Sequence, residues 1–258
     1  MDLTGLTSCQ KEEGFVDYFG GDIDSAVRTH AIEEYPKESC GLIVDDYYFP
    51  CRNIAEDPEE DFRIDPKDSL KAHQAGKVRA VVHSHKMAQA WPSKLDMEMQ
   101  VKSKLPWGIV VIRENNSTEG PYYWGCQELW PKQPYEGRPF IYGAQDCYSL
   151  CWDYYMNEFE VELPIVPRAW GWWDEGENIF ADMYEGAGLV AIDMKNMRPG
   201  DLLWMTVGIS NGVSNHSGIY LGNNLLLHHL VNRLSRREPF VNWRDSVTHV
   251  LRHESHVT

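Results

Sequence analysis

The chain has 258 residues, 43% of them hydrophobic and 24% charged, and a formal net charge of −15. That composition fits one large or two ordinary globular domains and excludes a disordered chain. With an acidic balance and no run of Lys or Arg, the electrostatic attraction that nucleic-acid binding needs is missing, so no nucleic acid is expected as a partner.

No apolar stretch approaches the ~20 residues that cross a bilayer, so no transmembrane segment is expected. The opening MDLTGLTSCQKEEGF has neither a basic nor an apolar leader region. Without an export signal, the six cysteines (Cys9, Cys40, Cys51, Cys126, Cys147 and Cys151) read as reduced cytoplasmic thiols, one of them free to act as a nucleophile. The ten Trp and thirteen Tyr read mainly as core.

In chain order, DIDSAVRTHAIEEYP spaces Ile23, Ala26, Val27, His30 and Ala31 as a helix that stops before Pro36. SCGLIVDDYYFPC is apolar and β-branched, a strand or hairpin. DPKDSLKAHQAG carries an Asp before a Pro at the first helical position and a Gly at the exit, a short helix. RAVVHSH and WGIVVI read as core strands on either side of a helical SKLDMEMQVKSKL. From Arg113 to Arg138 the pattern loosens, and a linker over 126–137 divides the chain into units 1–125 and 138–258. Beyond it, DCYSLCWDYYMNEF reads as a helix and RPGDLLWMTV and NHSGIYLGNNLLLHHLV as strands.

His83 and His85 end the strand RAVV, where alternation puts both rings on one face, about 6–7 Å apart along the chain. Asp96 follows eleven residues later and is a suitable third zinc ligand, leaving a fourth position for water. Glu38, at the lip of SCGLIV, is the candidate base. Ser93 with Asp96 also fits a helix capping box, and both roles are compatible. HSHKMAQAWPSKLD with Glu38 upstream resembles the JAMM (MPN+) motif of the Jab1/MPN metallopeptidases over about residues 15–125. The resemblance implies a mixed α/β sheet flanked by helices, zinc on His83, His85 and Asp96, Glu38 as general base, Ser93 as an oxyanion donor, and (iso)peptide cleavage.

Cys147 falls in the first turn of its helix, where free amides and the helix dipole favour a thiolate. His216 on a strand is the candidate partner, while Cys151, one turn on, reads as an inert core thiol. IYGAQDCYSL, RPGDLLW and HSGIYLGNNLLLHH are similar to the NlpC/P60 peptidase pattern over 138–258. That implies an α+β papain-like fold, Cys147 as nucleophile, His216 as base, a further polar residue orienting His216, and Tyr142 as an oxyanion helper. Tyr148 and Ser149 stand where the family often has Ser-Gly. For the orienting residue, a three-residue turn at 222–224 sets position 218 opposite His228, whereas a two-residue turn favours His229. The family spacing also favours His228. His249, His253 and His256 read as a polar, frayed tail.

Both motifs in this order resemble the tail tip assembly proteins of lambda-like phages. The resemblance implies other tail tip proteins as partners and peptidoglycan peptides as substrate of the cysteine unit. It also implies residence in the host cytoplasm during assembly, then at the tail tip with access to the periplasm. The alternative is a structural tail tip component with silent peptidase folds.

Overall fold

The computed structural model describes residues 19–86, 91–125 and 134–256. Helix α1 (Gly21–Glu34) buries Ile23, Val27 and Ala31 on one stripe, leaving Ala26 exposed. Strands β1 (Cys40–Val44) and β2 (Tyr47–Cys51) form a hairpin in which Val44 faces Tyr47 across Asp45 and Asp46. Helix α2 (Pro66–Ala75) starts where the sequence places it, with the Asp65 carboxylate accepting from the Lys67 N–H and Pro66 at the first position. Strand β3 (Val78–Lys86), helix α3 (Lys94–Ser103) and strand β4 (Trp107–Ile112) make a crossover that leaves β3 and β4 parallel.

These strands and β5 (Thr118–Trp124) form a mixed sheet in the order β2-β1-β3-β4-β5. Alternation gives it two apolar faces. Ile43, Ala80, Val82, Val110 and Ile112 meet α1, and Leu42, Val81, Ile109 and Val111 cluster with Ala72 of α2. Each fully buried Val, Leu or Ile contributes about 1.5–3 kcal/mol. Strand β5 corrects the expectation of a loosened segment after Arg113. Its Gly120 and Pro121 hide the strand pattern, and the proline is tolerated because β5 is an edge strand with an irregular register opposite Ile109 and Val111.

The second half is built on helix α4 (Cys147–Phe159) and an antiparallel sheet of β6 (Leu189–Ala191), β7 (Leu202–Met205), β8 (His216–Gly222), β9 (Leu225–His228), β10 (Arg236–Pro239) and β11 (Val247–His253). Their order is β10-β9-β8-β7-β11-β6. Leu202, Trp204, Ile219, Leu227 and Leu251 share one apolar cluster with Cys151 and Tyr155 of α4, and Leu203, Met205, Leu226 and Val250 form another. Strand β11 corrects the frayed-tail reading, because VTHVLRH pairs with both β7 and β6, burying Val250 in one apolar cluster and Leu251 in the other, with half-buried His249 against the Trp204 and Tyr184 rings.

The β8–β9 turn also differs from expectation. It has two residues, Asn223 and Asn224, both left-handed (φ 50° and 61°), as a type I′ hairpin requires. That turn alone would set Gly218 opposite His229. A register shift between Tyr220 and Gly222 adds one residue and restores the pairing of Gly218 with His228.

The two halves touch through the start of α3. Met97 is 2% exposed and packs in the cluster that holds Tyr142 and Tyr148. Gly143 (φ 74°) lies directly beneath it, and a Cβ there would fall 2.0 Å from the Met97 Cε. Trp91 stacks on Trp170 with ring centroids 5.2 Å apart. Among the described residues, no helix is long and apolar enough to cross a membrane, and Cys40, Cys51, Cys147 and Cys151 are free thiols.

Candidate functional site

His83 and His85 continue the α2 face of β3, as alternation from Val81 requires. Cys40 pairs with His83 across β1–β3, and the Ser39 N–H donates to Ser84 Oγ at 2.8 Å. Ser84, on the opposite face from the histidines, thus ties the chain that carries Glu38 to the histidine strand. Asp96 enters from the first turn of α3, where its carboxylate accepts from the Ser93 N–H and Oγ–H, both at 2.8 Å, and its N–H donates to Ser93 Oγ at 3.1 Å. The capping box and the ligand position coincide, and Ser93 orients the carboxylate.

The Nε2 atoms of His83 and His85 lie 3.0 Å apart, Asp96 Oδ1 lies 3.4 Å from the first, and Oδ2 lies 3.6 Å from the second. Tetrahedral ligands at zinc bond lengths are about 3.3 Å from one another, so two imidazoles and a carboxylate at these separations fit one zinc ion. Glu38 Oε1 stands 3.9 Å from His85 Nε2. Burial pushes the Glu38 carboxyl up to about 8, against the pull of His85. Burial also raises Asp96, but the two imidazoles outweigh it and hold that carboxyl well below the usual range. Phe62 stacks on the His83 ring at 4.4 Å, a wall that the sequence did not announce.

Cys147 is the first residue of α4. Asp146 caps the helix, accepting from the N–H groups of Gly143 (2.7 Å), Tyr148 (3.0 Å) and Ser149 (3.0 Å). It also takes a bond from Arg168 Nη2. Ser149 Oγ accepts the Asp146 N–H at 2.6 Å and closes the box, which gives the departure from Ser-Gly a local purpose. The thiol is buried and lies against Ser217, the residue after His216; it is not hydrogen-bonded to His216. Burial and the Asp146 carboxylate push it up to about 11. The thiol is thus held above its ordinary value, where its place at a helix start leads one to expect a lowered one; desolvation is the largest cause. His216 Nε2 meets His228 Nδ1 at 3.0 Å. His229 lies outside that contact, its ring edge-on to Phe140.

Two curated relatives match most of the chain. Tail tip assembly protein K of Escherichia phage N15 is 33% identical over 89% of this chain and 93% of its own length. Tail tip assembly protein K of Escherichia phage lambda is 35% identical over 73% and 87%. The chain belongs to the tail tip assembly protein K family. Within it, residues 22–124 match the profile of prokaryotic homologs of the JAB domain and residues 119–252 that of the NlpC/P60 family. A CysO-cysteine peptidase of Mycobacterium tuberculosis is 26% identical over 38% of the chain and 75% of that protein.

In this family member, Tyr142 does not offer a free hydroxyl: its O–H donates to the Ala169 carbonyl at 2.7 Å, and the ring lies under Arg168. The Ser93 hydroxyl is likewise committed to Asp96. Either oxyanion role requires the hydroxyl to turn. Sequence reasoning missed Arg168 and Glu238, since a single charged residue in an irregular or edge segment carries no local signal of what it will meet.

Proposed function

We propose that this protein is a phage tail tip assembly protein with two hydrolase units, 1–125 and 138–258, joined by 126–137. The first is a zinc-dependent (iso)peptidase, and the second is a cysteine peptidase acting on peptidoglycan peptides during tail assembly or cell entry. Its partners are other tail tip proteins, and it passes from the host cytoplasm to the tail tip, with access to the periplasm on infection. The observation that carries the reading is the closure of His83, His85 and Asp96 to the mutual distances of ligands on one ion.

Zinc held by these three residues supplies Lewis acidity toward water and the scissile carbonyl. Glu38, beside His85, takes the proton from the attacking water and delivers it to the leaving amine. Ser93 keeps the Asp96 carboxylate turned toward the imidazoles. In the second unit Cys147 attacks the scissile carbonyl, His216 takes the thiol proton and gives it to the amine that leaves as the C–N bond breaks, His228 orients His216, and water hydrolyses the thioester to release the acid and restore the thiol.

Gently purified protein is expected to hold about one zinc per chain, and Asp96→Ala to lose it. Elemental analysis that finds wild type and variant equally metal-free would overturn the metal reading. Incubation with defined peptidoglycan fragments should give new products by mass spectrometry that Cys147→Ala does not give; identical product patterns would remove the second activity.

The second reading, a structural tail tip component with silent peptidase folds, is favoured at one place. Cys147 is buried, raised to about 11 and not hydrogen-bonded to His216. Virions assembled with Glu38→Gln and Cys147→Ala separate the two readings, since a scaffold tolerates both changes.

A further inference from the structure

The His216–His228 contact does not by itself fix which nitrogen of His216 is basic. If His228 carries its proton on Nδ1, it donates to His216 Nε2. His216 is then protonated on Nδ1, and its only lone pair is consumed in that bond. If His228 is protonated on Nε2 instead, its Nδ1 lone pair accepts from His216 Nε2–H, and His216 Nδ1 is free to take a proton.

What lies beyond His228 decides between these states. The ring is 1% exposed, and its Nε2 makes no hydrogen bond. Glu238 Oε2 stands 3.5 Å from that nitrogen. The same oxygen accepts the Trp243 indole N–H at 2.8 Å, and Oε1 pairs with Arg236. The Trp243 ring packs edge-on against His228 with centroids 4.5 Å apart, so one residue holds both the carboxylate and the imidazole. Burial works against the charge on Glu238, but the Trp243 donor, His228 and Arg236 keep its carboxyl below the ordinary range. An ionised carboxylate is an acceptor only.

We propose that Glu238 is a positioning residue of the cysteine site, fixing the proton of His228 on Nε2 and so leaving Nδ1 of His216 as the base. The proposal rests on the reading of Cys147 and His216 as the reacting pair. Positioning runs from β10 to β9 to β8, with each element supplying one group. The other charged or titratable groups around these rings are His229 beyond β9, Arg236 on β10 and Arg233 in the preceding loop.

The test uses the full chain with 15N-labelled histidine. Two-dimensional NMR should assign Nε2–H tautomers to both His216 and His228 in the wild type and mixed tautomers in Glu238→Leu. Cys147 alkylation by iodoacetamide, followed by peptide mass spectrometry across pH, should slow at pH 7 by about ten-fold or more in Glu238→Leu, the order seen when an orienting partner is lost. Should Glu238→Leu fail to fold, Glu238→Gln keeps the shape and removes the charge, and a smaller shift of the same sign is expected. A wild-type His228 protonated on Nδ1, or a folded variant with unchanged tautomers and pH profile, overturns the proposal. Absence of hydrolysis by the wild type counts against the peptidase reading alone, because the tautomer measurement does not depend on turnover.

Discussion

Arg168→Leu should lower the unfolding free energy by about 3–5 kcal/mol, the cost of stranding one member of a buried ion pair. Arg168 and Asp146 are 4% and 1% exposed, and the guanidinium is sandwiched against the rings of Tyr142 and Tyr148 at 5.2 and 5.6 Å. Desolvation opposes both charges, yet each partner holds the other ionised, with Asp146 below its ordinary range and Arg168 above. Removing Arg168 leaves the carboxylate with only the backbone amides of Gly143, Tyr148 and Ser149 for company. Adding Asp146→Asn should restore part of the loss, a coupling that a double-mutant cycle in urea measures. Arg113 and Glu119 are 37% and 43% exposed and serve as the control; their separation should cost under about 1 kcal/mol. A loss that small for Arg168→Leu would show that Asp146 is neutral or hydrated.

Lowering the pH from 7 toward 4 should destabilise the fold through His216, His228 and His229. Burial drives His228 and His229 down to about 4 and His216 well below its ordinary value. Above pH 6.5 the folded and unfolded chains are both neutral at these positions, so the histidines contribute nothing. Below it the unfolded chain takes up protons that the folded chain refuses, and the loss accumulates until the folded His228 and His229 rings titrate near pH 4. His228 and His229 each account for about 3 kcal/mol across that window. Glu38, raised to about 8, has the opposite sign in the same range. Because Glu38 and His216 are common to both chains, comparing wild type with His228→Gln/His229→Leu isolates His228 and His229. The fall in urea midpoint from pH 7 to 4.5 should be smaller for the double variant than for the wild type; parallel curves for the two chains would sink the assignment.

The candidate metal cluster was legible because its three residues lie within fourteen positions, at the end of one strand and the first turn of the next helix. Strand alternation and a capping box are local rules, and both hold here. Helix α2 was legible for the same reason, with Asp65, Pro66 and Gly76 marking its ends. Strand β5 was not, because Gly120 and Pro121 interrupt its pattern and only its place at the sheet edge makes room for them. Strand β11 was hidden by its polar alternate positions. The β8–β9 turn is one residue shorter than the pattern suggests, and the register that faces Gly218 with His228 holds because an extra residue near Leu221 compensates. The environment of the thiol was not legible, because burial is a tertiary property and the group that Cys147 meets, Ser217, lies far along the chain.

Asp96 and Met97 are consecutive residues of one helix, the first turned toward the paired imidazoles and the second plugged into the apolar interior above Gly143. Cut free, the C-terminal half would carry an empty socket where the thioether now sits, next to the loop that presents its sulfur. The N-terminal half thus serves the other as a keystone, with one helix turn shared between the two candidate sites.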